Sequence, residues 1–175
     1  AQTSVKKVLT TGGETVLEKQ LALTFHEDFT NEGKLLKEKL TAWHGLEVVP
    51  EASVTIVLDY LSDRKKAVNE EYYELCIDGQ QIRISAATPH GVFNGRQTLL
   101  GLLKGQESPF RLEAMSIQDY PDLLYRGQML DIARNYTTVD NLKKLIDMLS
   151  SYKLNVLQFH FSDDEGWRLE IPGLE

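Results

Sequence analysis

The chain of 175 residues is 42% hydrophobic and 26% charged, the proportions of a soluble globular protein. Its formal charge of -7 argues against a nucleic-acid binder, which needs a basic face, and no apolar run reaches the roughly 20 residues of a membrane span. One cysteine excludes an internal disulfide framework; Cys76, between apolar neighbours in "YYELCIDG", reads as a buried thiol.

The N-terminal "AQTSVKK" lacks the apolar centre of a signal peptide, and fits either a cytosolic start or a mature end left after cleavage. "LALTF", Leu21 to Phe25, reads as a strand. In "FTNEGKLLKEKLTAWHGLEV", Leu36, Leu40 and Trp43 recur at helical spacing, with Leu35 widening the stripe and Gly45 as a C-terminal stop. Trp43 is accordingly expected in the core. "ASVTIVLDY" places Val54, Ile56 and Leu58 on one face of a strand. In "YYELCIDGQQIRISAA", Tyr73, Leu75 and Ile77 alternate, Asp78-Gly79 supplies a turn, and Ile82, Ile84 and Ala86 resume the period, the pattern of a hairpin. "TPHGVFNGRQTLLGLLKG" predicts a helix entered through a Pro89-His90-Gly91 turn and closed by Gly105. Strands and helices mix without strict alternation, so residues 1–120 form an expected α+β domain, a mixed sheet packed by helices.

"SIQDYPDLLYRG" carries Pro121 in a short polar connection and marks the boundary to a second region, residues 121–175. There "YRGQMLDIA" reads as a strand. "TTVDNLKKLIDMLSSYK" sets Val139, Leu142, Ile146 and Leu149 on one helical face, with Thr137 and Asp140 at capping-box spacing. "NVLQFHF" reads as a second strand. Strand, helix, strand at this spacing is a βαβ unit, which requires parallel strands and a right-handed crossover. Two strands cannot bury a parallel sheet, so the unit either docks on the first domain or belongs to a larger sheet.

In that second strand Leu157, Phe159 and Phe161 point one way, and Gln158, His160 and Ser162 the other. Polar side chains gathered toward a strand's C-terminal end, with Asp163, Asp164 and Trp167 just beyond, suit a site at the mouth of a β/α structure. A lone histidine there would read as a satisfied core residue; its acidic neighbours give the functional reading equal standing. Arg134, at the end of the preceding strand, would reach the same mouth. An arginine fork binds sugar hydroxyls or carboxylates, and equally pairs with a structural acid.

At these residues the chain resembles family 20 glycoside hydrolases, the β-N-acetylhexosaminidases. Arg126-Gly127, Leu130-Asp131, Arg134, "YKLN" at Tyr152 to Asn155, His160, Asp163-Asp164 and Gly166-Trp167-Arg168 match the opening of the catalytic barrel in order. The hairpin and "HGVFNGRQTLLGLL" resemble the end of the non-catalytic α+β domain that precedes it. The resemblance implies the first strand-helix-strand of a truncated TIM (β/α)8 barrel beginning near Tyr125, with the site at the C-terminal strand ends. Arg134 matches the arginine that grips hydroxyls of a terminal N-acetylhexosamine. Asp163 matches an aspartate in a hydrogen-bonded chain with a histidine and the general acid, and His160 and Asp164 match its surroundings. Asn135, Gln158 and Glu165 depart from the usual histidine, histidine and glutamine.

The family's reaction is substrate-assisted, and its catalytic Asp-Glu pair lies on a later strand. Asp164-Glu165 does not occupy that position, so no catalytic residue is expected within this sequence. The chain is therefore expected to be an inactive fragment of an exo-acting, retaining enzyme. It would act on glycans ending in N-acetylglucosamine or N-acetylgalactosamine, in a periplasmic or secreted location, without cofactor or metal. The terminal Leu174-Glu175 resembles a vector-derived join. A carbohydrate-binding or interaction module, and a complete small α/β protein, remain as alternatives; a core Trp43 would weigh against the former. His26, His44 and His90 lack metal-ligand spacing, "GVFNG" lacks the spacing and lysine of a phosphate loop, and Tyr72, Tyr73 and Tyr125 read as packing residues.

Overall fold

The computed structural model describes residues 5–173, so the terminal Leu174-Glu175 lies outside them. The chain divides into two compact units, residues 1–122 and 123–175. In the first unit, β1 (Lys7–Leu17), β2 (Gln20–Phe25), β3 (Glu47–Val49), β4 (Thr55–Tyr60), β5 (Tyr73–Asp78), β6 (Gln81–Ala86) and β7 (Phe110–Asp119) form one sheet. Their order is β1-β7-β5-β6-β4-β2-β3. β3, β2, β4 and β6 are mutually parallel neighbours, whereas β5 runs antiparallel to both β6 and β7, and β7 antiparallel to β1. The sheet is therefore mixed, as expected for the α+β class.

Two helices make the long connections that parallel strands require. α1 (Thr30–His44) joins β2 to β3, and α2 (Pro89–Leu103) joins β6 to β7 across β5. α1 buries Glu32, Leu36 and Leu40 at four-residue steps and stops at Gly45, whose φ of 64° lets its N–H reach the carbonyls of Leu40 and Thr41. His44 takes the next step of that row, its ring edge-on to Phe110 at 5.6 Å between centroids. Trp43 consequently falls outside the row and is 49% exposed, with the Lys39 ammonium 4.4 Å from its ring centroid. This corrects the expectation of a core tryptophan.

α2 begins earlier than expected. Pro89-His90-Gly91 is its first turn rather than an entry loop, because Thr88 caps it, its Oγ1 accepting from the Gly91 N–H at 3.3 Å. Gly91 and Gly95, one turn apart, seat this helix on the sheet. A Cβ on Gly95 would lie 2.5 Å from Ile84 Cγ2, and one on Gly91 2.3 Å from the Tyr72 carbonyl oxygen. Beneath them lies the core of Leu75, Ile77, Ile82, Ile84, Leu99 and Leu103, all fully buried. Each such side chain contributes about 1.5–3 kcal/mol on burial. Tyr73 ends in the same layer with its hydroxyl on Thr98 Oγ1 at 2.6 Å and Asp119 Oδ2 at 3.1 Å. Burial, above all, pushes this phenol far above its ordinary value.

Cys76 is exposed, contrary to expectation. Tyr73, Leu75 and Ile77 take the inward phase of β5, so the period of two sends Cys76 to the opposite face.

In the second unit β8 (Gly127–Asp131) and β9 (Val156–His160) pair in parallel, Gly127 opposite Val156 through Asp131 opposite His160. α3 (Val139–Ser151) connects them, giving the expected strand-helix-strand. Its cap lies one residue later than the capping-box spacing suggested. Thr138 is extended and its Oγ1 accepts from the Asn141 N–H at 3.3 Å, while Thr137 Oγ1 accepts from the Asn141 side chain. No residue of α3 is buried: Leu142, Leu145 and Leu149 are half-covered, and Val139, Ile146 and Met148 lie open. Tyr125 is likewise exposed, not the packing residue expected, because no described layer covers this end of the unit.

Candidate active site

The site is built where β8 and β9 end. Parallel pairing in register brings Asp131 and His160 side by side, so everything that follows either strand emerges at one mouth. After β8 the chain turns sharply. Asp131 Oδ1 accepts from the N–H groups of Ala133 and Arg134, each at 3.0 Å, and the His160 carbonyl accepts from Ile132 N at 3.1 Å and Ala133 N at 3.2 Å. After β9 a short hairpin, β10 (Ser162–Asp163) and β11 (Gly166–Trp167), folds back on itself. Asp164 and Glu165 form its exposed two-residue turn.

This arrangement joins three of the four residues singled out from the sequence. Arg134 donates to Asp163 Oδ2 from Nε at 2.8 Å, and its Nη2 stands 2.7 Å from the same oxygen. His160 Nε2 lies 3.1 Å from that oxygen as well. Asp164, exposed in the turn, donates its backbone N–H to Asp163 Oδ1 at 2.7 Å. Hydrogen bonding with the Asp164 side chain, then the Arg134 guanidinium, the Asp164 N–H and His160, holds the Asp163 carboxyl well below the ordinary aspartate range. Asp163, above all, raises Arg134 in turn. At the mouth's working charge state, an ionised carboxylate thus anchors a permanently charged guanidinium. Arg134 stays largely open to solvent and spends only one edge of its fork on Asp163.

Two contributors belong to the matched motif but received no role from the sequence. Asp131 caps the Arg134 turn and stands 3.3 Å from Arg134 Nε; its place at a strand's C-terminal end, level with His160, is the signal that would have found it. Arg168 donates to the carbonyls of Ile132 and Ala133. Its place in the Gly166-Trp167-Arg168 motif marked the residue, not these backbone partners. Asp131, His160 and Asp163 also bring ligand-type atoms within 4.8 Å of one another, but the Arg134 cation already sits among both carboxylates. A donor set neutralised by a guanidinium fits an ion-pair network better than a metal centre.

Fold and site together define the C-terminal mouth of a strand-helix-strand unit, following a separate α+β domain in the chain. Comparison with known families agrees: residues 4–120 match glycosyl hydrolase family 20, domain 2, and residues 123–175 match glycosyl hydrolase family 20, catalytic domain. The chain belongs to glycosyl hydrolase family 20 and comprises its domain 2 and the start of its catalytic domain.

Among curated relatives, it is 41% identical over 123 residues to an N,N'-diacetylchitobiase of Vibrio harveyi, covering 70% of this chain and 14% of that protein. It is 35% identical over 157 residues to a beta-hexosaminidase of Porphyromonas gingivalis, covering 83% of this chain and 20% of the relative. A solved exo beta-N-acetylglucosaminidase of Vibrio harveyi, in complex with N-acetylglucosamine, superposes with a TM-score of 0.84 at 31% identity. That match covers 98% of this chain and 27% of the other. The chain thus spans well under a third of the length of these proteins.

Proposed function

We propose that this chain is the amino-terminal part of an exo-acting β-N-acetylhexosaminidase that removes terminal non-reducing N-acetylhexosamine residues. The observation that carries the reading is Arg134, held open at the strand ends by Asp163. Its donors not engaged by Asp163 suit the vicinal hydroxyls of a terminal sugar, and their fixed direction selects one ring orientation. The reaction is substrate-assisted. The acetamido oxygen of the substrate attacks the anomeric carbon as the glycosidic bond breaks, a carboxylic acid protonates the leaving oxygen, and water then opens the cyclic intermediate with net retention. The acid and the carboxylate that orients the acetamide belong to later strands of the parent enzyme. Asp164 and Glu165, in their exposed turn, do not take those roles. The parent works in a periplasmic or secreted setting.

The 175-residue chain alone is expected to leave a chromogenic N-acetylglucosaminide unhydrolysed, and turnover at the rate of a complete family member would overturn this reading. In the complete enzyme, Arg134→Ala is expected to lower kcat/KM by about 10- to 100-fold, the loss of charged hydrogen bonds of about 1.5–3 kcal/mol.

A second reading, a sugar-binding module, gains from the exposure of Trp43, since aromatic faces stack on sugar rings. Lys39 covers one face of that indole. Titration with N-acetylglucosamine oligomers, followed by tryptophan fluorescence, separates the two: saturable quenching that Trp43→Ala abolishes would favour the module.

A further inference from the structure

The turn that presents Arg134 is satisfied from two sides. Its N–H groups are taken by Asp131 Oδ1 and the His160 carbonyl. Its carbonyls are taken by one side chain: Arg168 Nε donates to Ile132 O at 3.0 Å and Nη2 to Ala133 O at 2.9 Å. Ile132 and Ala133, at 6% and 0% exposure, are the buried apolar residues of this unit among the described residues. An unmet carbonyl there would therefore be costly.

We infer that Arg168 is a positioning residue for the substrate-gripping arginine: it clamps the Ile132-Ala133 peptides to the β10–β11 hairpin and so fixes Arg134 against Asp163. The inference rests on the proposed role of Arg134. Arg168 acts through backbone at both ends of the clamp. Its own N–H donates to the Phe161 carbonyl at 3.0 Å, tying the hairpin's return strand to the residue after β9. Its guanidinium lies 5.4 Å from the Tyr136 ring centroid. The planar fork matters, because two donors on one edge meet two successive carbonyls, a geometry that a lysine ammonium does not reproduce. Gly166 completes the fit: a Cβ there would lie 2.4 Å from the Ala133 oxygen, so the hairpin backbone presses against the very carbonyl that Arg168 holds. Asp163 is the residue paired with Gly166, which makes hairpin position and carboxylate position a single quantity.

The test is a double-variant cycle in the complete enzyme that carries this sequence, with a chromogenic N-acetylglucosaminide. Arg134→Lys and Arg168→Lys are each expected to lower kcat/KM by about 10- to 100-fold, and the double variant to fall no further than Arg134→Lys alone. A general folding defect would instead multiply the two losses, and that result, or wild-type activity of Arg168→Lys beside an impaired Arg134→Lys, overturns the inference. In the 175-residue chain, the Arg134 Nε–H proton resonance reports the bond to Asp163 without any catalysis. It is expected to lose its hydrogen-bonded shift in Arg168→Lys, and an unchanged resonance also overturns the inference. If Arg134→Lys is fully active while that resonance does move, the function assigned to Arg134 fails and the clamp stands. Should Arg168→Lys not fold, Gly166→Ala pushes on the same carbonyl from the hairpin side and is expected to give the same pattern in both measurements.

Discussion

The two units of this chain carry similar apolar periodicity and use it differently. In the first, the residues that alternate on β4, β5 and β6 vanish from solvent, and α1 and α2 cover one face of a complete sheet. In the second, α3 has the cleaner amphipathic pattern of the three helices, yet Val139, Ile146 and Met148 remain open, as do Leu123, Leu124 and Met129 around β8. What orders the mouth of the second unit is a polar lattice of Asp131, Arg134, His160, Asp163 and Arg168. An apolar core stabilises through area removed from water, whereas this lattice specifies direction, which is what the role proposed for Arg134 needs.

The sharpest way to break the contrast is to delete matching apolar groups. Leu75→Ala, in the first core, is expected to cost about 2–5 kcal/mol in urea-induced unfolding, from lost transfer energy and the cavity left behind. Ile146→Ala, on the open side of α3, is expected to stay within about 0.5 kcal/mol. Equal losses would show that the exposed helix face is covered in solution. A finer probe is acid. Asp163 ionises in the folded chain below its ordinary value of 3.8, so near that pH the unfolded state holds more protons. The lattice therefore contributes fully above about pH 4 and is lost as pH falls through the lower folded-state value. Carboxyl NMR should place the Asp163 midpoint below that of a free aspartate, and Arg134→Met should raise it. A midpoint at or above the ordinary value would mean that the lattice does not form.

Much of this architecture is legible in the residues because local signals agree with tertiary demand. The β5–β6 hairpin follows from alternation around Gly79, and α1 ends at the glycine that its periodicity required. β1 and β7 escape such a reading for a common reason: they pair across a register shift between Thr10 and Glu14, and the inward phase of β7 changes between Ala114 and Ile117. A strand that switches phase reads as a loop when only its period is inspected. Trp43 and Cys76 mislead differently, since hydrophobicity predicts burial only once the covering layer is known. At the site, the polar residues following β9 were visible, and parallel pairing was enough to bring Arg134 to them. Arg168 was visible as part of the Gly166-Trp167-Arg168 motif, but its role was not, because that role lies in two backbone carbonyls that no side-chain pattern encodes.

The outward phase of β5 has a practical corollary. Its sulfhydryl is the sole one in the sequence and stands mid-strand on the face opposite the packed helices. A maleimide dye or nitroxide will therefore attach at a single known address on the first unit. With the exposed Trp43 of the first unit replaced by phenylalanine, Trp167 reports from the second alone, and the separation of the two halves becomes a measurable distance without disturbing either the greasy layer or the polar lattice.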